Sequence, residues 1–183
     1  MKKVSLKLTG GIFNNRMIVS YSEHTRPTSQ MVRQAVFNML HNVGGVVLDL
    51  FAGSGAYGFE ALSRGASFAY LNDVNKDAIR SIKENIKALN VDDQTKLTKM
   101  DYKDALTYYT DKEITFDYVF LDPPYDMKDE AIYEIMNTLK KQKTPITIII
   151  ERNSKDRPLD VKDYECIKDR KYGLKHIYIY KKQ

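Results

Sequence analysis

Apolar and polar positions follow two different rhythms along the chain, and the change comes near residue 46. Ahead of it, Val4 to Phe13 and Met17 to Ser20 read as β-like runs that meet at Asn14-Asn15, where asparagine tolerates the left-handed conformation of a tight turn. That predicts a hairpin. Arg26-Pro27-Thr28-Ser29 then opens a helix with a hydroxyl cap. Its apolar positions Met31, Val32, Ala35, Val36, Met39 and Leu40 recur at helical spacing, and Gly44-Gly45 closes it.

From residue 46 strand-like and helix-like runs alternate: Val46 to Leu50, Tyr57 to Ser63, Phe68 to Leu71, Lys76 to Leu89, Leu97 to Met100 and Lys103 to Tyr109. This alternation predicts an α/β fold with a parallel sheet. The helix after Asp73 sets Ala78, Ile79, Ile82, Ile86 and Leu89 on one face, as a helix covering a sheet would. A fourth strand, Tyr118 to Leu121, leads through Pro123-Pro124 to a helix carrying Ile132, Ile135, Met136 and Leu139, then to a fifth strand, Ile146 to Ile150. Tyr164 to Ile167 and Leu174 to Tyr180 flank Tyr172-Gly173 with no helix between them, so they should pair antiparallel. The expectation is a seven-stranded Rossmann-like sheet ending in an antiparallel hairpin, as one domain over 29–183, preceded by a hairpin arm over 1–28.

Composition narrows the class. With 183 residues, 43% hydrophobic and 29% charged, the chain has room for one sizeable core. Apolar runs such as Ile148-Ile149-Ile150 are too short for a bilayer, and Met1-Lys2-Lys3-Val4 leads into no apolar signal segment, so a cytoplasmic protein is expected. The single Cys166 and the scattered His24, His41 and His176 lack metal-ligand spacing, and no metal is expected. The net charge of +5 is local: residues 1 to 33 hold six cations (Lys2, Lys3, Lys7, Arg16, Arg26, Arg33) against Glu23, and the rest of the chain balances. A polyanion partner there and a merely solvated basic terminus account for this about equally.

Two loops at strand ends carry the candidate chemistry. Asp49-Leu50-Phe51-Ala52-Gly53-Ser54-Gly55 follows the first strand of the alternating region, and its glycines let backbone N–H groups approach a ligand closely. Asp122-Pro123-Pro124-Tyr125 follows the fourth strand with a rigid, extended turn between an acid and an aromatic ring. Gly53, Gly55 and Gly58 also satisfy a dinucleotide fingerprint, with Asp73 about 20 residues on. Against a dinucleotide, Asp49 beside the loop would repel a pyrophosphate. Asp49 and Asp101 also suit helix or turn capping, and Pro-Pro suits an ordinary turn.

This combination resembles the class I S-adenosylmethionine-dependent methyltransferases. Arg26-Pro27-Thr28, Val32 to Leu40, Gly53 to Ala66, Gly10-Gly11 and Arg170-Lys171-Tyr172-Gly173 are similar to the RsmD family of bacterial 16S rRNA guanine-N2 methyltransferases, over nearly the whole chain. Three positions depart from that family: Asn14-Asn15-Arg16 stands for a Gly-Arg pair, Leu174 for an aspartate, and Asn72-Asp73 for a single acid ending the second strand, of which Asp73 is chosen.

The resemblance implies S-adenosylmethionine as cofactor and a small-subunit rRNA, or an assembling ribosomal subunit, as partner, with a monomer as the default. It implies that Asp49, Phe51, Gly53 and Gly55 hold the amino-acid end of the cofactor, Asp73 its ribose, and Asp101 and Tyr102 its adenine. Asp122, Pro123 and Tyr125 are the expected catalytic group. An exocyclic purine amine is a poor nucleophile because its lone pair is delocalised, and acceptors at Asp122 and Pro123 would let the nitrogen pyramidalise while Tyr125 stacks on the base. Lys2, Lys3, Lys7 and Arg16 are expected on RNA phosphates, with Arg26 and Arg33 either joining them or pairing internally with acids. The same loop serves adenine-N6 methylation, so that reaction stays open beside a non-catalytic RNA-binding protein and an NAD-dependent oxidoreductase.

Overall fold

The computed structural model describes residues 3–21, 30–153 and 155–183. Among these residues fourteen α-helices and β-strands follow in chain order, β1 (Val4–Lys7), β2 (Met17–Ser20), α1 (Gln30–Leu40), β3 (Val46–Asp49), α2 (Ala56–Ser63), β4 (Phe68–Asn72), α3 (Lys76–Leu89), β5 (Thr95–Thr98), α4 (Tyr102–Asp111), β6 (Tyr118–Leu121), α5 (Asp129–Leu139), β7 (Thr147–Asn153), β8 (Tyr164–Tyr172) and β9 (Lys175–Lys182). Seven strands form one sheet in the order β5-β4-β3-β6-β7-β9-β8. The pairs from β5 to β7 are parallel. β9 lies antiparallel between β7 and β8, as the missing connecting helix predicted.

Each central strand is apolar on both faces, and alternate residues enter different cores. Val47, Phe120 and Ile149 join Phe37, Phe59, Leu62 and Ile82 beneath α1, α2 and α3. Leu48, Val119, Ile148 and Ile150 join Ala105, Leu106, Ile132, Ile135 and Met136 beneath α4 and α5. β3 and β6 are adjacent at the centre, and the chain leaves them toward opposite edges of the sheet. Their carboxyl ends therefore open a crevice at the reversal of strand order. No helix of the described residues is long and apolar enough to cross a membrane.

The N-terminal hairpin departs from its expected outline. β1 stops at Lys7 instead of continuing to Phe13, and Gly11–Phe13 forms a short 3-10 turn. Leu8 still pairs with Arg16 and Asn15, and Asn15 takes the expected left-handed conformation at φ 67°. The intervening loop leaves the hairpin to dock on α2. Phe13 N–H donates to Ser63 Oγ at 2.8 Å, and Ser63 Oγ–H donates to the Gly10 carbonyl. Gly11 sits at φ 73°, where a Cβ would fall 1.7 Å from the Ser63 carbonyl oxygen, so only glycine admits this contact. β2 is tied to α3 by Val19 N–H donating to Asn85 Oδ1 at 2.8 Å and Tyr21 N–H to Ser81 Oγ at 2.9 Å.

α1 buries Val32 and Val36 of the expected face, but the face is rotated. Its buried positions are Val32, Arg33, Val36 and Phe37, whereas Met31 is exposed. The reason is packing: Phe37 lies 5.5 Å from the Phe120 ring, and Arg33 pairs with the fully buried Glu60 of α2 at 3.2 Å. The helix opening predicted at Arg26-Pro27-Thr28-Ser29 lies outside the described residues.

Candidate active site

A cleft of about 570 Å³ opens at the ends of β3, β4 and β6. Of the ten residues expected to bind the cofactor or act on the substrate, Asp49, Phe51, Gly53, Asp73, Asp101, Tyr102, Asp122, Pro123 and Tyr125 line it. The tenth, Gly55, lies just behind the turn. At φ 81° it enters α2 in the left-handed region, and a Cβ there would meet the Phe59 ring at 2.4 Å. The turn from strand to helix thus depends on that glycine.

Asp49 ends β3 and is 1% exposed. Its Oδ2 accepts from Gly58 N–H in the first turn of α2 at 3.1 Å, so it also serves as the helix-start acceptor that its sequence position allowed. Burial pushes this carboxyl up to about 8; the Gly58 N–H opposes that shift, and the negative charges of Asp122 and Asp73 add to it. Asp73 projects into the cleft just after β4, with Oδ2 accepting from Gly53 N–H and Oδ1 from Asn75 N–H, each at 2.8 Å. Its neighbour Asn72 also lines the cleft but is buried, donating to the carbonyls of Leu50 and Met100 at 3.1 Å. Asp101 caps α4 by accepting from Lys103 N–H at 2.9 Å, and the Tyr102 ring lies 5.9 Å from that of Phe51.

The second loop crosses the cleft from this group. Tyr125 is 59% exposed. Three further residues, Lys175, Glu151 and Tyr57, support the loop. Lys175, at the start of β9, places Nζ 2.5 Å from Glu151 Oε1, 3.8 Å from Asp122 Oδ1 and 4.7 Å above the Tyr125 ring. Burial pulls its ammonium down, but Asp122 and Glu151 together hold it well above the ordinary lysine range. Tyr57 donates to Glu151 Oε2 at 3.0 Å and stacks on Phe120, 5.1 Å away. Burial beside Glu151 pushes the Tyr57 hydroxyl far up, so it remains a donor. Register brings these residues together: β7 pairs Asn153 with Lys175, which sets Glu151 diagonally beside the lysine. An acid ending an apolar β7 run was the one visible signal.

The cationic candidates separate. Lys3, Lys7 and Arg16 are exposed on the hairpin. Lys3 pairs with Glu84 at 2.8 Å, and Arg16 donates to the Ala88 carbonyl at 2.6 Å. Arg33 does not reach the surface. Its side chain is 1% exposed beside Glu60, which also accepts from Arg64 Nε at 2.8 Å and from Thr9 N–H and Oγ1–H. Internal pairing, one of its two expected roles, takes Arg33 away from phosphates. Lys2 and Arg26 lie outside the described residues.

The cleft suits a cation. Asp49, Asp73, Asp101, Asp122 and Asp126 face Lys175, its one Lys or Arg among the described residues. The N–H groups of Gly53 and Gly58, which a pyrophosphate would need, are already taken by Asp73 and Asp49. Asp49, buried against other acids, fits an ammonium or sulfonium group. Sheet order, switch-point cleft and acid-lined glycine turn define a class I S-adenosylmethionine-dependent methyltransferase.

The family model described as Conserved hypothetical protein 95 matches residues 6–181. Ribosomal RNA small subunit methyltransferase D of Haemophilus influenzae is 31% identical over 181 residues, covering 94% of this chain and 91% of its own. YlbH of Bacillus subtilis is 35% identical over 163 residues, covering 87% of this chain and 89% of its own. The solved structure of a conserved hypothetical protein of Streptococcus pyogenes superposes with a TM-score of 0.72 at 31% identity, over 82% of this chain and 95% of that one. The chain belongs to the RsmD family.

Proposed function

We propose that this protein transfers a methyl group from S-adenosylmethionine to the exocyclic N2 of a guanine in small-subunit rRNA, in the cytoplasm. The observation that carries this reading is the meeting of both loops in one cleft, with a buried acid at Asp49 on one wall and the Asp122–Tyr125 turn on the other. The name of the Haemophilus influenzae relative supports the choice of polymer.

S-adenosylmethionine supplies an electrophilic methyl group on a sulfonium. Asp49 would hold its cationic amino-acid end with Phe51 and Gly53 alongside, and Gly55 would shape the turn. Asp73 would accept from the ribose hydroxyls, and Asp101 and Tyr102 would meet the adenine. On the other wall, the Asp122 carboxylate and Pro123 carbonyl would accept the amine N–H bonds and restore nitrogen lone-pair density toward the methyl, so that the N–C bond forms as the S–C bond breaks, S-adenosylhomocysteine leaves and the displaced amine proton passes to the Asp122 carboxylate and on to water. Tyr125 stacks on the extruded base, a contact worth about 1 to 3 kcal/mol in single-stranded sites. Extrusion costs least from an RNA loop, which makes an unpaired guanine the expected target.

On the hairpin, Lys3, Lys7 and Arg16 would contact phosphates and position the RNA without reading its sequence. The arm over 1–28 is thus assigned to RNA and 29–183 to cofactor and chemistry. The test is methyl transfer to unmodified 16S rRNA, free and assembled with ribosomal proteins, followed by nucleoside analysis. N2-methylguanine supports the assignment, while N6-methyladenine refutes the choice of base.

A further inference from the structure

Lys175 has no part in the chemistry described so far, yet it touches both functional groups of the Asp122–Tyr125 turn. Its ammonium is 3.8 Å from Asp122 Oδ1 and 4.7 Å above the Tyr125 ring. It rests on a buried support: Glu151 is 2% exposed, holds Nζ at 2.5 Å through Oε1, and receives the Tyr57 hydroxyl on Oε2 at 3.0 Å. Tyr57 in turn stacks on Phe120, two residues before Asp122. The acceptor and the stacking ring are therefore both referenced to the sheet through one cation, by way of β7, β9 and α2.

Building on the function proposed above, we infer that Lys175 is a positioning residue for methyl transfer, with Glu151 as its anchor. Asp122 must aim a carboxylate oxygen at an amine whose plane is set by the Tyr125 ring, so the two groups are useful only in a fixed relation. A flexible lysine cannot impose that relation alone. Seated on Glu151, it loses the freedom of its stem and presents a fixed positive charge to both partners. Lys175 also offsets the repulsion that a carboxylate at Asp122 meets from the other cleft acids. Misplacing a reacting group by about 1 Å costs on the order of 100-fold in rate, which sets the scale of the effect.

The test compares Lys175→Met, Glu151→Gln and the double variant in single-turnover methyl transfer to small-subunit particles reconstituted from unmodified 16S rRNA. S-adenosylhomocysteine affinity and the unfolding midpoint are measured on the same proteins. Lys175→Met leaves Glu151 buried without its cation and can fail to fold. The double variant removes the buried charge of Glu151 together with its cation and keeps the inference testable. The expected result is a rate at saturating RNA lower by about 10- to 100-fold in every folded variant. The double variant should be no slower than the slower single variant, with half-saturating RNA and S-adenosylhomocysteine affinity within about threefold of the parent.

A double variant with the parent's rate overturns the role of Lys175 while leaving the methyltransferase assignment intact. So does an unchanged rate at saturation with weaker RNA binding, which would make Lys175 an RNA contact. Loss of rate only in step with a lower unfolding midpoint and weaker S-adenosylhomocysteine binding would make it structural and also overturn the inference. A parent that transfers no methyl to either rRNA or particle overturns both this inference and the function on which it rests.

Discussion

In Asp49→Asn the amide keeps an oxygen for the Gly58 N–H and loses the buried charge. Asp49 is 1% exposed, and burial lifts its carboxyl from an ordinary 3.8 to about 8. Between those values the folded chain retains a proton that the unfolded chain has released, so folding becomes less favourable as pH rises. The slope is about 1.4 kcal/mol per pH unit between the two values and vanishes below the unfolded value and above the folded one, where the cost is complete. Asparagine has no such slope. The stability of Asp49→Asn relative to the parent should therefore grow by roughly 3 to 4 kcal/mol from pH 5 to pH 8. Urea unfolding of both proteins at each pH, without cofactor, measures the difference. Parallel curves would refute the buried, raised carboxyl. The same proton predicts that the parent's affinity for S-adenosylmethionine rises about tenfold from pH 6 to pH 7, because a cation binds the ionised form. Calorimetry in buffers of different ionisation enthalpy should show proton release at pH 7.

Other consequences follow from the same geometry. Asp122→Ala should lower turnover by at least about 100-fold with RNA affinity changed less than threefold in filter binding, because it removes an acceptor needed in the transition state. Full turnover would dismiss its role. Neutralising Lys3, Lys7 and Arg16 together should weaken RNA binding and flatten its dependence on salt, by about 0.7 to 0.9 in log–log slope for each phosphate no longer neutralised, as measured by titration across salt concentrations. An unchanged slope would remove the hairpin from the RNA site. Arg33→Met should cost roughly 3 kcal/mol in urea unfolding by leaving Arg64 as the one cation on the buried Glu60 among the described residues, without altering the salt slope of RNA binding.

What could be read directly from the sequence was whatever lies close together along it. The acid, glycines and helix start of Asp49 to Gly58 form one local turn, and Asp122 to Tyr125 another. The rule that ligands gather at strand ends is enough to put both on one side of the sheet. The missing helix between β8 and β9 likewise required their antiparallel pairing. Long-range pairing was harder to read. Arg33 suits an RNA cation and an internal partner equally well in the sequence, and its partner Glu60 lies 27 residues on. The hairpin left its strand pattern after Lys7 because Thr9 and Phe13 find partners on α2, about 50 residues away. Lys175, Glu151 and Tyr57 come from three elements whose register no local pattern reveals.

Hydrophobic periodicity was most reliable where a residue faced the sheet and least reliable on α1. There a buried arginine and Phe37 displaced the methionine expected on the inner face. A charged side chain can occupy a core position only when its partner is buried with it. That partner was the single acid in the otherwise apolar run of α2.

The most direct measurement is transfer of labelled methyl from S-adenosylmethionine to unmodified small-subunit RNA, with and without ribosomal proteins, resolved by nucleoside analysis. The account predicts label on the N2 of guanine, at one site, lost in Asp122→Ala. Label on an adenine, or no label on either free RNA or assembled particles, would contradict it.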